Sequence, residues 1–414
     1  MSAGAPVDGN SFVVRNVRVF DGDGTRERMN VVVAAGRIMT IGRTTPPSGL
    51  PVIDGTGRTL LPGLIDAHAH VPSAASLRNA LRFGVTTELD MLSDINVART
   101  LTPRRDRLDR TDLADLYSAG SPFTSPRGLG TQFGLTFSTI SRPDEAAALV
   151  KGRLAEGSDY IKILYEPGAP LFTTVSRETL AAVIAAAHAA GVLAVVHISS
   201  IQGARDAVRA GVDGLVHVFS DSLIDEAFAR EIAERKVFVS PTLSIFGAFQ
   251  SNGFGSALAA DVRIAPFLSP AQRTELTKAG PGADHPMAPY LVRFDIARAL
   301  ENVRMLKAAG VRLLAGTDAP NLTAHGASVH GEMELLTQAG LTPVEALAAA
   351  TRAPAEAYHL AGRGRIALGA RADLVLVDGN PLVDITATRA IVRVFKNGFE
   401  VTRVLSPSAT PPAR

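Results

Sequence analysis

The sequence predicts an α/β fold built as a (β/α)8, TIM-like barrel, and three observations lead to it. Short runs rich in Val, Ile and Leu recur without polar alternation, as in VLAVVHISS and RLLAGTDAP, which suits strands of a parallel sheet covered on both faces. Helical stretches separate the later runs. Six residues, His68, His70, Lys162, His197, His217 and Asp318, each stand at the end of such a run. In a barrel of this kind all C-terminal strand ends open on one mouth, so residues far apart in sequence can meet there. With 414 residues, one barrel plus a small domain fits.

The elements follow in order. FVVRNVRVF, MNVVVAAGRIMTIG and the run ending in VIDGTGRTLL read as β-segments, with turns at Gly36, Gly42, Gly55 and Gly57. LLPGLIDAHAHV opens the barrel; its two histidines are one residue apart, so on a strand they share a face and can grip one ion. VTTELDM near residue 87 suits the second strand, the GLGTQFGLT region the third, DYIKILYE the fourth and FVSPTLS the seventh. Helices are expected at Pro143 to Glu156, Arg177 to Ala190, Gln202 to Ala210, Leu223 to Lys236 and Phe294 to Ala309. Thr179 to Ile201 carries no charged residue, yet His188, Gly191 and a polar end at His197 divide it into a buried helix and strand, not a membrane span. RADLVLVDGN and IVRVFKNGFEV are again of β type. The segment from Ile245 to Pro289 is too long for an ordinary connection, and reads as a lid over the mouth or as an insertion packed away from it. His285 within it reads as a surface residue.

The chemistry starts from the six strand-end residues. A lone buried His is more often a hydrogen-bonded core residue than a ligand; six metal-ligand types in one setting change that weighting. Lys162, between Ile161 and Ile163, costs several kcal/mol to bury as an unpaired ammonium, so it must shift its pKa, find a partner or be modified. The chain has no cysteine, so a metal site here uses nitrogen and oxygen, which accept Zn, Mn, Co or Fe.

The ordered array resembles the amidohydrolase superfamily, in its binuclear-metal branch related to imidazolonepropionase and metal-dependent Xaa-Pro dipeptidases. The flanking segments VIDGTGRTLLPGLIDAHAH and GRIALGARADLVLVDGNPL match as well, so the resemblance covers nearly the whole chain. It implies a β-sandwich formed by both chain ends, residues 1–61 and 360–405, beside a catalytic barrel over 62–359. The remaining tail, 406–414, is expected to be disordered. It also implies that His68 and His70 bind a first divalent ion, zinc being the expected metal, and that His197 and His217 bind a second. Asp318 would bind the first ion and act as the catalytic proton carrier, and Lys162, carboxylated, would bridge both. A lysine carbamate is an anion with two oxygens, suited to ions about 3.5–4 Å apart, and two such ions bring the pKa of a shared water from 15.7 towards about 7.

The expected activity is hydrolysis of an amide, carbamate or ester bond in a small molecule such as an N-acyl amino acid or dipeptide-like compound. A mononuclear-type deaminase or cyclic-amidine hydrolase is the alternative, opposed by Lys162, and a non-catalytic scaffold a third, opposed by retention of all six residues. Tyr165, His325 and His330 stand beside the site in sequence and are expected to touch substrate. Arg127, Tyr290 and Arg293 could meet an anionic group, although such single residues are more often on the surface. After Lys162, relatives usually have small, glycine-rich residues; here the sequence is LYEPG, which departs from dipeptide specificity. With 42 basic against 40 acidic side chains and no block of like charge, neither nucleic acid nor a membrane is an expected partner. A homo-oligomer is expected. MSAGAPVDGNS lacks the basic and apolar regions of a secretory signal, so the expected location is cytoplasmic.

Overall fold

The structure, a computed structural model, describes residues 9–133, 138–250 and 253–405. The tail expected to be disordered, 406–414, lies outside the described residues. Both ends of the described chain contribute to one eight-stranded sheet. From the front come β1 (Phe12–Phe20), β2 (Thr25–Ala34), β3 (Arg37–Gly42), β4 (Val52–Asp54) and β5 (Arg58–Pro62). Seven further strands follow in the central part of the chain: β6 (Leu64–Ala69), β7 (Val85–Asp90), β8 (Asp115–Ser118), β9 (Ile161–Leu164), β10 (Ala194–His197), β11 (Gly214–Val216) and β12 (Phe238–Ser240). From the back come β13 (Leu374–Asp378), β14 (Ile391–Lys396) and β15 (Phe399–Glu400).

The end sheet runs β15-β14-β13-β5-β1-β2-β3, with β4 beside β1. Its joining ladder is antiparallel, pairing Leu374 with Pro62 through to Asp378 with Arg58. The hydrogen bonding draws one sheet here where two facing sheets are expected from the sequence. Phe12, Val14, Val31, Leu376 and Phe395 form the apolar cluster it covers.

The central strands are parallel and lie in two ladders, β6-β7-β8 and β9-β10-β11-β12. Single parallel bridges link their edges, Phe123 to Ile163 on one side and Val239 to Leu313 and Ala69 to Ala319 on the other. The RLLAGTDAP run therefore takes its place by isolated bridges and not as a full strand. The fold is TIM-barrel-like, as an α/β protein with helices around parallel strands. One element differs from expectation: the third strand is Asp115–Ser118, while Thr131–Phe133 is a short 3-10 turn and 134–136, the end of the expected region, lie outside the described residues.

Local sequence explains the helices that separate the strands. Ser176 and Ser200 cap the helices Arg177–Ala189 and Ile201–Arg209, their side chains accepting hydrogen bonds from Thr179 N and Gly203 N, a cap typically contributing about 1 kcal/mol. Ile161 and Ile163 join Leu180 and Val183 in the layer between strands and helices. By the two-residue alternation of a strand, Lys162 then faces the other way, inward.

Candidate metal centre

His68 lies in β6 and His70 just beyond it, Lys162 in β9, His197 at the end of β10, His217 just past β11 and Asp318 in the bridging segment. All six line one cavity of about 560 Å³. The backbone is bent to deliver them. His217 and Asp318 have φ of 57° and 59°, and Thr242, after β12, has 54°. Left-handed conformations of this kind cost about 1–3 kcal/mol each in a residue with a side chain and gather at functional sites. Gly316 is required by close approach: a Cβ there would stand 2.4 Å from Ser240 Oγ and 2.7 Å from His68 Cβ. That approach lets Thr317 N and Asp318 N both donate to His68 O, at 3.0 and 2.8 Å. Asp66 fastens the same joint, accepting from His68 N and from the Thr317 hydroxyl at 3.1 and 2.6 Å.

Asp318 Oδ1 stands 3.0 Å from His68 Nε2 and 2.9 Å from His70 Nε2. His70 Nδ1 faces the Leu92 carbonyl at 3.2 Å, which only accepts, so Nδ1 carries the proton of the neutral ring and the Nε2 lone pair is turned toward the carboxylate. A lone pair facing an anion is favourable when a cation lies between them. His68 Nδ1 is buried without a partner, and ligand atoms of His68, His70 and Asp318 lie within 4.8 Å of one another. The donor set therefore fits a divalent ion bound through nitrogen and oxygen.

The other three residues complete the cavity floor. His217 packs against both His68 and His197, with ring centroids 4.7 and 4.5 Å apart. Its Nδ1 is 2.6 Å from Thr242 Oγ1, and that hydroxyl gives its proton to Pro241 O at 2.7 Å. His217 Nδ1 is thus the donor, and Nε2 keeps the lone pair. Lys162 makes no ion pair at bonding distance among the described residues. Burial lowers its pKa to about 7 against the opposing charges of Asp318 and Asp90. Burial and the neighbouring Lys162 lower His68 to about 3. For Asp318 burial works against the charge, but the His68 and His70 rings beside it hold its pKa well below the ordinary carboxylate value.

The three expected substrate contacts are not on the cavity wall. Tyr165 alternates with Lys162 along the strand and points away, its hydroxyl donating to Asp206 Oδ2 at 3.0 Å. His325 is buried beside Glu88, with Nδ1 2.9 Å from Oε1. His330 lies on the helix Ala327–Gln338 and turns to the chain ends, bonding Phe83 O at 2.9 Å and Thr388 Oγ1 at 3.0 Å. Arg127 is exposed. Tyr290 and Arg293, by contrast, are not surface residues: both reach Glu166, which the sequence reading missed. Tyr290 donates to Glu166 Oε1 at 3.1 Å, and Arg293 lies 3.4 Å from Oε2.

The segment 245–289 divides between its two expected roles. Phe249, Lys278, Pro281 and Met287 wall the cavity, together with an exposed His285. Leu258, Ile264, Leu268 and Leu276 instead pack against Phe83 and Ala327 on the flank.

The profile of the amidohydrolase family matches residues 59–406. The chain belongs to the amidohydrolase family. It is accordingly an enzyme, a hydrolase. This amidohydrolase is 25% identical over 399 residues to ochratoxinase from Aspergillus niger, a match covering 82% of this chain and 75% of that one. A shorter match, 27% identical over 167 residues, covers 40% of the amidohydrolase and 35% of a dihydroorotase from Thermus aquaticus, so it spans about a third of that relative. Among solved structures, a putative prolidase from Bifidobacterium longum has a TM-score of 0.77 at 26% identity, covering 98% of this chain and 97% of its own. A Xaa-Pro dipeptidase with bound methionine has a TM-score of 0.75 at 21% identity over 94% and 99% of the two chains. No helix among the described residues of the amidohydrolase is long and apolar enough to cross a membrane.

Proposed function

We propose that this amidohydrolase is a two-metal hydrolase of an amide, carbamate or ester bond in a compact small molecule with an apolar body. The reading rests chiefly on the convergence of His68, His70 and Asp318 at the floor of a cavity that Lys162, His197 and His217 also line. When bound, divalent ions such as zinc supply Lewis-acid polarisation of the carbonyl and activation of water. His68, His70 and Asp318 would hold one ion, and His197 and His217 a second. Lys162 supports the bridging assignment by its chemistry. With a pKa near 7, much of it is the uncharged amine at neutral pH, and the uncharged amine is the form that adds carbon dioxide to become a carbamate.

The chain's own groups account for the remaining steps. Asp318, held ionised at the floor, is placed to take a proton from the attacking water and return it to the leaving nitrogen or oxygen. Met91, Leu129, Leu164, Phe249, Phe294 and Leu322 on the walls would bury the apolar part of the substrate and exclude bulk water. Lys278 and His285 give the rim two groups able to meet a carboxylate. The ochratoxinase and prolidase likenesses support an N-acylated amino acid as the form of that substrate.

The test is metal analysis of carefully prepared protein, followed by turnover across N-acyl amino acids, Xaa-Pro dipeptides, carbamates and lactones, with amide or carbamate hydrolysis expected. One ion at full occupancy with activity not raised by added metal would remove the two-ion reading. Turnover of lactones alone would remove the amide and carbamate reading and leave the ester reading and the metal centre standing.

A further inference from the structure

We propose that Glu166 is a positioning residue for the second ion: it fixes which nitrogen of His197 is turned to the metal. The inference rests on the two-ion reading above. It begins from position, because Lys162 and Leu164 alternate onto the cavity face of β9 and Glu166 follows at the same two-residue spacing just past the strand. Glu166 is 1% exposed. The space next to His197 is filled by its carboxylate.

Its contacts are specific. Glu166 Oε1 lies 2.8 Å from His197 Nε2, and the Tyr290 hydroxyl braces both, 3.1 Å from Oε1 and 3.0 Å from Nε2. Oε2 accepts from the Ser199 hydroxyl and lies 3.4 Å from Arg293. Pairing with Arg293 is therefore the looser contact and His197 the tighter one. An ionised carboxylate only accepts, so in the neutral ring Nε2 carries the proton and Nδ1 carries the lone pair. At His217 the arrangement is reversed, with Nδ1 donating to Thr242. The two rings of the second-ion site would thus bind through different nitrogens, each set by a different neighbour. A carboxylate on the far nitrogen also makes the imidazole a better ligand, and removing such a partner typically weakens metal affinity about 10–100-fold.

The experiment compares wild type, Glu166→Ala and Glu166→Gln by two measurements. Nitrogen-15 NMR of histidine-labelled, metal-free protein reads the His197 tautomer, and titration with zinc against a competing chelator reads the two ion affinities. Wild type is expected to show His197 protonated at Nε2. Glu166→Ala is expected to lose that single tautomer and to bind the second ion about 10–100-fold more weakly, with the first unchanged. Glu166→Gln keeps an acceptor of the same shape, so it should retain the tautomer and weaken the second ion by less. An unchanged tautomer in Glu166→Ala, with both affinities as in wild type, would overturn the proposal. Should Glu166→Ala not fold, wild-type affinity for the second ion in Glu166→Gln overturns it. If wild type itself binds no second ion, the two-ion reading fails, and the metal-free tautomer still decides the role of Glu166.

Discussion

Two lysines are buried in this protein under opposite conditions. Lys396, 0% exposed, holds Asp115 Oδ2 at 2.8 Å and Asp373 Oδ2 at 2.6 Å, with Arg363 and Arg371 closing the network around the carboxylates. Lys162, 2% exposed, faces the cavity with no carboxylate at pairing distance among the described residues. Burial of a charge is tolerated when partners satisfy it and costs several kcal/mol when they do not. Lys396 is thus a structural ion, joining β8 of the barrel to the end sheet. Lys162 has no such partners, and burial instead lowers its pKa to about 7. The same burial has opposite meanings at the two positions.

Substitution separates them most sharply. Lys162→Ala should lose the second ion and nearly all turnover while the thermal midpoint stays at or above that of wild type. Metal analysis, steady-state assay and calorimetry check this, and short carboxylic acids should restore part of both losses by filling the vacated space. Lys396→Met should do the reverse. Leaving Asp115 and Asp373 without their central cation is expected to cost about 3–5 kcal/mol, read as a lower denaturant midpoint, with the folded fraction keeping its ion content. Loss of activity without loss of stability at Lys396 would break the contrast.

Two smaller effects sharpen it. His330 is a third buried base, and burial lowers its pKa from 6.5 to about 4 against the Phe83 carbonyl it bonds. A folded-state value below the unfolded one means that the unfolded chain takes up the proton first as pH falls. Stability should therefore be full above about 6.5 and decline toward about 4, by on the order of 3 kcal/mol from this residue. His330→Gln should flatten that slope in denaturation curves recorded between pH 7 and 4. Asp318→Asn keeps an oxygen toward the metal but loses its basicity, so turnover should fall about 10²-fold while metal content falls less. Activity within a few-fold of wild type would take Asp318 out of proton transfer.

The floor of the site was legible because each of its six residues ends an apolar run, and parallel strands bring their C-terminal ends together. What failed was direction. Tyr165 stands just past Lys162 in sequence, but the two-residue spacing that puts Lys162 and Leu164 on the cavity continues to Glu166; counting by two from the lysine could have found it. His325 and His330 are near Asp318 in sequence, yet the turn into their helix carries them to Glu88 and Phe83. Tyr290 and Arg293 belong to a long connection with no periodicity to orient it. The third strand was misread because Asp115–Ser118 is four residues with an acidic start, weaker as a pattern than the apolar GLGTQFGLT. That acidic start is the partner of Lys396, so the residue that hid the strand is one that the fold uses.

The Asp115–Lys396 pair spans 281 positions, and this bears on how the protein is made. During synthesis the barrel strands emerge long before residue 396, so the nascent chain carries Asp115 toward the interior without its counter-ion. The β5 edge likewise waits for β13. Contacts of such separation form late and slowly. Completion of the end sheet therefore waits until β13 and β14 have emerged from the ribosome, and a product ending short of β14 would remain open to proteases.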